Sequence, residues 1–115
     1  MASSHLFEVP AEGPPLGKPQ DLVDIIGEAF VARPDWIVIP VTRLGEGVLD
    51  LKTRLLGEML QKFVNYDFRV ALLGDVSHVC AASKPFADFV RETNRGTQIW
   101  FAPDRAALLA RLGGA

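Results

Sequence analysis

The stretch Gly57 to Ser77, GEMLQKFVNYDFRVALLGDVS, starts with helical spacing, becomes a wholly apolar strand within three residues, and stops on Gly-Asp. A helical period that gives way to a short unbroken apolar run marks an α/β unit, because only a strand covered on both faces can be apolar at every position. This one segment excludes an all-β sandwich and a helical bundle.

The same grammar repeats along the chain. Leu6 to Val9 is a short strand candidate, followed by the loop Ala11 to Gly17, AEGPPLG. Pro19 suits a first helical turn, where its missing N–H is no loss. Leu22, Ile25, Ile26, Ala29 and Phe30 then recur at helical spacing, and Pro34 forces an end near Ala32. Trp36 to Val41, WIVIPV, reads as a buried strand that Pro40 closes near Ile39. A second helix is expected after Asp50 as its cap, with Leu51, Leu55, Leu56, Met59, Leu60, Phe63 and Val64 as an apolar stripe. Glu58 and Lys62 lie four apart on its outer face, and Asn65 is placed to satisfy its last carbonyls.

Phe68 to Leu73 is the next strand. A third helix follows Ser83 as cap, with Pro85 in its first turn and Gly96 placed to end it in left-handed geometry. Thr97 to Phe101 is the last strand, and Asp104 caps a final helix through Leu112, whose Arg105 and Arg111 face outward. Strands separated by helices imply right-handed crossovers. The expected fold is one α/β domain over residues 1–115, with a mostly parallel sheet of about four strands and about four packed helices. Met1 to Ser4 are expected to lie outside it, as a disordered or added leader.

A chain of 115 residues with 49% apolar and 23% charged residues suffices for a single core. The net charge of −2 gives no electrostatic footprint for nucleic acid and no basic face for a membrane. Cys80 is the only cysteine, so no internal disulfide forms. The N-terminal MASSHLFEVP lacks the pattern of a secretory signal, and a cytoplasmic protein is expected.

Two segments, LDLKTRLLGEMLQKFVNYDFRVALLGDVS (Leu49 to Ser77) and SKPFADFVRETNRG (Ser83 to Gly96), carry a resemblance. With KFVNY, GDVS and ETNRG as its distinctive strings, the chain resembles the domain of unknown function 4180 family of uncharacterised bacterial proteins, from about Gln20 to Leu112. That pattern in turn resembles the STAS domain of sulfate transporters and anti-sigma-factor antagonists: strand, acidic loop, helix, strand ending in Gly, helix, strand, helix. The resemblance implies a STAS-like fold and a regulatory role without catalysis. STAS regulators carry a phosphorylatable Ser or Thr at the start of the helix after the central strand, and Thr53 is the nearest counterpart here. A phosphate there would meet free N–H groups and the helix dipole. The chain departs from the pattern at Arg54, where a Gly is usual, at Leu51-Lys52, where Asp-Ser is usual, and in having one N-terminal strand where two are usual.

Asp75 and Ser77 follow a central strand's carboxyl end, where open α/β sheets place ligands. With Asn94 and Arg95 they form a candidate binding site, and each also has a structural reading. Asp75 can bond its own turn, Asn94 can cap a helix, and Arg95 can pair with Glu92. Glu8 alone cannot hold magnesium, so a phosphoacceptor-Asp reading fails. His78 and Cys80 stand two apart without an orienting third group. Zinc ligands are too few, and neither a dinucleotide fingerprint nor a phosphate-loop Lys is present. No catalytic residue set, metal site or cofactor follows. Two readings stay open: a regulatory module with a protein partner, and a binder of a small anionic ligand, with or without catalysis, using Asp75, Ser77, Asn94 and Arg95. An uncovered sheet edge and the large area of Trp36 and Trp100 favour a homodimer.

Overall fold

A computed structural model describes residues 5–114. The expectation for Met1 to Ser4 lies outside the described residues. Four strands, β1 (Leu6–Glu8), β2 (Trp36–Pro40), β3 (Val70–Leu73) and β4 (Ile99–Ala102), form one sheet in the order β1-β2-β3-β4. Every neighbouring pair is parallel, with Phe7 opposite Ile37, Val38 opposite Ala71, and Leu72 opposite Phe101. The α/β reading holds.

Each strand hands the chain to helix and back. A 3-10 turn, Pro19–Leu22, leads into α1 (Val23–Ala32); the Asp21 carboxylate accepts the Gly17 and Lys18 N–H groups ahead of it. α1 stops where Arg33 turns left-handed at φ 49°, one residue before Pro34. α2 is Leu55–Asn65, α3 Ser77–Ala82, α4 Lys84–Arg95 and α5 Arg105–Gly114. Among the described residues there are five α-helices, α3 occupying what reads in sequence as a loop.

The pleat sorts the strands' side chains onto two faces. Phe7, Ile37, Ile39, Val70, Leu72, Ile99 and Phe101 pack with Ile26 and Ala29 of α1, Leu56, Met59 and Phe63 of α2, and Phe86 of α4. Trp36, Val38, Ala71 and Ala102 point the other way and are covered by Leu108 and Leu112 of α5. One face therefore carries the crossover helices, and among the described residues the C-terminal helix covers the other. Apolar runs such as Trp-Ile-Val-Ile need both covers, since polar atoms at any of these positions would be desolvated.

Several local expectations shift. β3 begins at Val70, not Phe68. Asp67 is left-handed at φ 63°, and the Phe68 N–H turns back to the Phe63 carbonyl at 3.0 Å. The last strand begins at Ile99 rather than Thr97. Gly96 ends α4 in extended geometry (φ −84°, ψ −170°), not left-handed, with its N–H on the Thr93 carbonyl. Asn65 does not reach the end carbonyls of α2; its side chain accepts from Gln61 at 2.9 Å. Arg105 and Arg111 are not idle outer residues. Arg105 forms a two-bonded pair with Glu8 at 2.9 and 3.0 Å, and Arg111 lies 3.6 Å over the Trp100 ring.

Candidate functional site

The loops at the carboxyl ends of the four strands make one rim, where a parallel sheet presents ligands and partners. Its shape is set by close approaches. Gly74 ends β3 at φ 150°, and a Cβ there would lie 2.1 Å from Val41 Cγ2. Gly45 passes Gly17 so tightly that a Cβ would stand 3.0 Å from the Gly17 Cα. Leu16 bridges to the β2 exit, its N–H on the Arg43 carbonyl and its carbonyl on the Gly45 N–H, both at 2.7 Å.

Past Gly74, the Asp75 carboxylate accepts the Ser77 N–H at 2.9 Å and so starts α3. Hydrogen bonds from the Ser77 hydroxyl and then its amide hold the Asp75 carboxyl below its ordinary range, with a smaller contribution from His78. Asp75, Ser77, Cys80, Asn94, Phe101 and Pro103 border a cleft of about 250 Å³ between α3, α4 and the β4 exit. Three of the four sequence candidates thus meet. Arg95 does not join them; it is exposed, 3.7 Å from Glu92. Asn94 points its side-chain oxygen at the Phe101 N–H, 2.7 Å away, and its own carbonyl receives Arg111. Asp75 holds its own turn and Asn94 holds β4. Among the described residues, no three His, Cys, Asp or Glu side chains converge as a metal site would require.

The β2–α2 connection builds the other half of the rim. Asp50 caps a separate 3-10 turn, Leu51–Thr53, through the Lys52 N–H at 3.0 Å, rather than capping α2 itself. Arg54 then adopts a left-handed conformation at φ 64°, which breaks the helix and restarts it at Leu55. Thr53 therefore stands just before α2, not within its first turn. Its residue is exposed, and its hydroxyl is shared between the carbonyls of Gly47 (2.9 Å) and Asp50 (2.8 Å) while accepting the Leu55 N–H at 3.3 Å. Next to this turn, Leu44, Leu49, Val79 and Ala82, with Gly47 and Asp50, line a second, mainly apolar cleft of about 410 Å³.

The match to the family described as Domain of unknown function (DUF4180) runs over residues 1–112. The chain belongs to the DUF4180 family. Because the match includes Leu6–Glu8, the edge strand is part of the family's domain. No curated protein and no solved structure matches the chain.

Sequence reading missed α3, the apolar cleft and the role of Arg43, whose guanidinium donates to the carbonyls of Pro10, Glu12 and Pro14 at 2.8 to 3.1 Å and so pins the proline loop. A signal for α3 existed: Asp75, two residues before Ser77, is spaced to hold a helix start. Nothing local announces Arg43, because its partners lie about thirty residues upstream.

Proposed function

We propose that this DUF4180 chain is a non-enzymatic, STAS-like regulatory module that binds a protein partner through the strand-end rim around Thr53. The observation that carries this reading is the exposed Thr53 turn lying against the apolar cleft of Leu44, Leu49, Val79 and Ala82. A modifiable hydroxyl beside apolar surface is what a switchable interface needs, because a new charge there must be desolvated or repelled on binding. Arg54 adds support. It departs in side chain from the Gly that STAS regulators place after their phosphorylated residue, yet its φ of 64° is the conformation that favours Gly.

The small-anion reading centred on Asp75, Ser77, Asn94 and Arg95 receives less support. The cleft there is real, but it offers a carboxylate where an anion would sit, and Arg95 lies outside it.

The test compares tagged wild-type chain with Thr53→Ser, Thr53→Glu and Ala82→Glu in affinity capture from the cell of origin, each checked for folding by circular dichroism. The expected result is one protein retained by wild type and Thr53→Ser and lost from both Glu variants. Equal capture by all four, or none by wild type, removes the reading.

A further inference from the structure

The two edges of the sheet are finished differently. On β4, Gln98 and Ala102 direct their carbonyls to β3, so Ile99 and Phe101 face outward. The Phe101 N–H is taken by Asn94, whose peptide is itself held by Arg111. That edge is partly blocked at Phe101. On β1, the Val9 N–H bonds the Val38 carbonyl and the His5 carbonyl bonds the Asp35 N–H, each at 2.8 Å. Leu6 and Glu8 therefore direct their backbone groups away from the sheet, and among the described residues no strand or side chain pairs with them.

Beside this open edge runs a groove of about 560 Å³. Phe7, Val9, Leu16 and Ile25 form an apolar floor, and α1 forms a wall that presents Asp24 and Glu28 one turn apart, both exposed. Neither carboxylate has an ion pair or side-chain hydrogen bond among the described residues. The groove's cation, Arg43, has its guanidinium turned onto the proline-loop carbonyls. The groove is thus apolar below, acidic along one side, and flanked by unpaired backbone.

We propose that an extended, lysine- or arginine-bearing segment of a partner protein adds beside β1 as a fifth strand. Backbone pairing with Leu6 and Glu8 supplies affinity, and alternate side chains enter the groove. Long aliphatic stems lie on the apolar floor while their cationic ends reach Asp24 and Glu28, a fit that a neutral or acidic strand lacks. This groove shares no lining residue with the apolar cleft beside Thr53, so either proposal can fail without the other.

The test is selection of a displayed library of random ten-residue peptides on the folded chain, followed by titration of the enriched peptides as synthetic fragments. Enriched sequences should alternate apolar residues with Lys or Arg. Their binding should weaken at least tenfold against Asp24→Lys/Glu28→Lys, weaken less against Asp24→Asn/Glu28→Gln, and fall with added salt. N-methylation at every second peptide residue should abolish it, while methylation of the intervening residues should not. Failure to enrich any sequence overturns the proposal, as does enrichment of peptides without basic residues or binding indifferent to the double variants. So does sedimentation showing that a second copy of the chain occupies the edge. Asp24 and Glu28 are exposed, so the variants should retain the wild-type circular dichroism spectrum.

Discussion

The indole of Trp100 stacks on that of Trp36 at 4.2 Å between ring centroids and 28° between planes, with the Arg111 guanidinium 3.6 Å over the Trp100 ring. The stack joins neighbours across β3 and is finished by α5, so Trp36 is consumed inside the domain while Trp100 is left half-buried. Trp36 is 3% exposed and offers no free area to a homodimer, which leaves the tryptophan argument with the half-buried Trp100 alone. Beyond that, self-association has only the open β1 edge left to rest on, the edge assigned above to a basic partner segment, and sedimentation decides between the two occupants.

Leu108 is the fully buried contact by which α5 covers this second face. Leu108→Ala should destabilise the chain by about 2–5 kcal/mol, the range for a buried leucine that leaves a cavity. Denaturant unfolding followed by tryptophan fluorescence reads it. Arg111→Met keeps the aliphatic cover and removes the charge, so a smaller loss of about 0.5–1 kcal/mol is expected. Equal losses from both would mean that α5 is not held mainly by apolar burial.

Thr53→Ala should cost about 0.5–2 kcal/mol, because the hydroxyl joins the Gly47 and Asp50 carbonyls to the first amide of α2. Thr53→Ser should recover most of that. Thr53→Glu gains from the helix dipole but cannot donate to either carbonyl, so a net destabilisation is expected. Thermal melts of the three variants should rank Ser above Ala and above Glu.

The architecture was legible because it depends on local patterning. Unbroken apolar runs marked β2, β3 and β4, helical spacing marked α1, α2 and α4, and Pro34, Ser83 and Asp104 marked real boundaries. What failed depends on single backbone angles or on distant partners. Arg54 and Asp67 are left-handed without being Gly, so the sequence carried no warning of the break before α2 or of the late start of β3. Of the candidate site, Asp75, Ser77 and Asn94 were legible as neighbours of strand ends. That Asn94 would take the outward N–H of Phe101 on β4 was not, since its partner lies seven residues on and its role appears only once α4 packs on the sheet.

Gly74→Ala should be strongly destabilising for two separable reasons. Its Cβ would overlap Val41, and its φ of 150° is one that side-chain-bearing residues rarely adopt. Overpacking of this kind costs about 1–3 kcal/mol. The double variant Gly74→Ala/Val41→Ala removes the clash but not the backbone strain, so chemical denaturation should show it recovering part of the loss. Complete recovery would mean that the angle is relaxed at little cost; no recovery would mean that Val41 already moves aside.

The Asp75 carboxyl should titrate below its ordinary range, and Ser77→Ala should raise it, since the Ser77 hydroxyl is the largest cause of the shift. The sign follows from linkage. A carboxyl whose folded-state value is depressed binds its proton more weakly folded than unfolded, so its stabilising contribution is present above the unfolded value and lost as pH falls through the folded one. Acid unfolding should therefore lose a contribution from this turn in the acidic range below ordinary carboxylate titration, and the Ser77→Ala protein should show a smaller one. NMR titration of the Asp75 carboxyl carbon in both proteins measures it. An unchanged midpoint would mean that the amide at 2.9 Å holds the carboxylate without help from the hydroxyl, leaving that hydroxyl free to face the cleft.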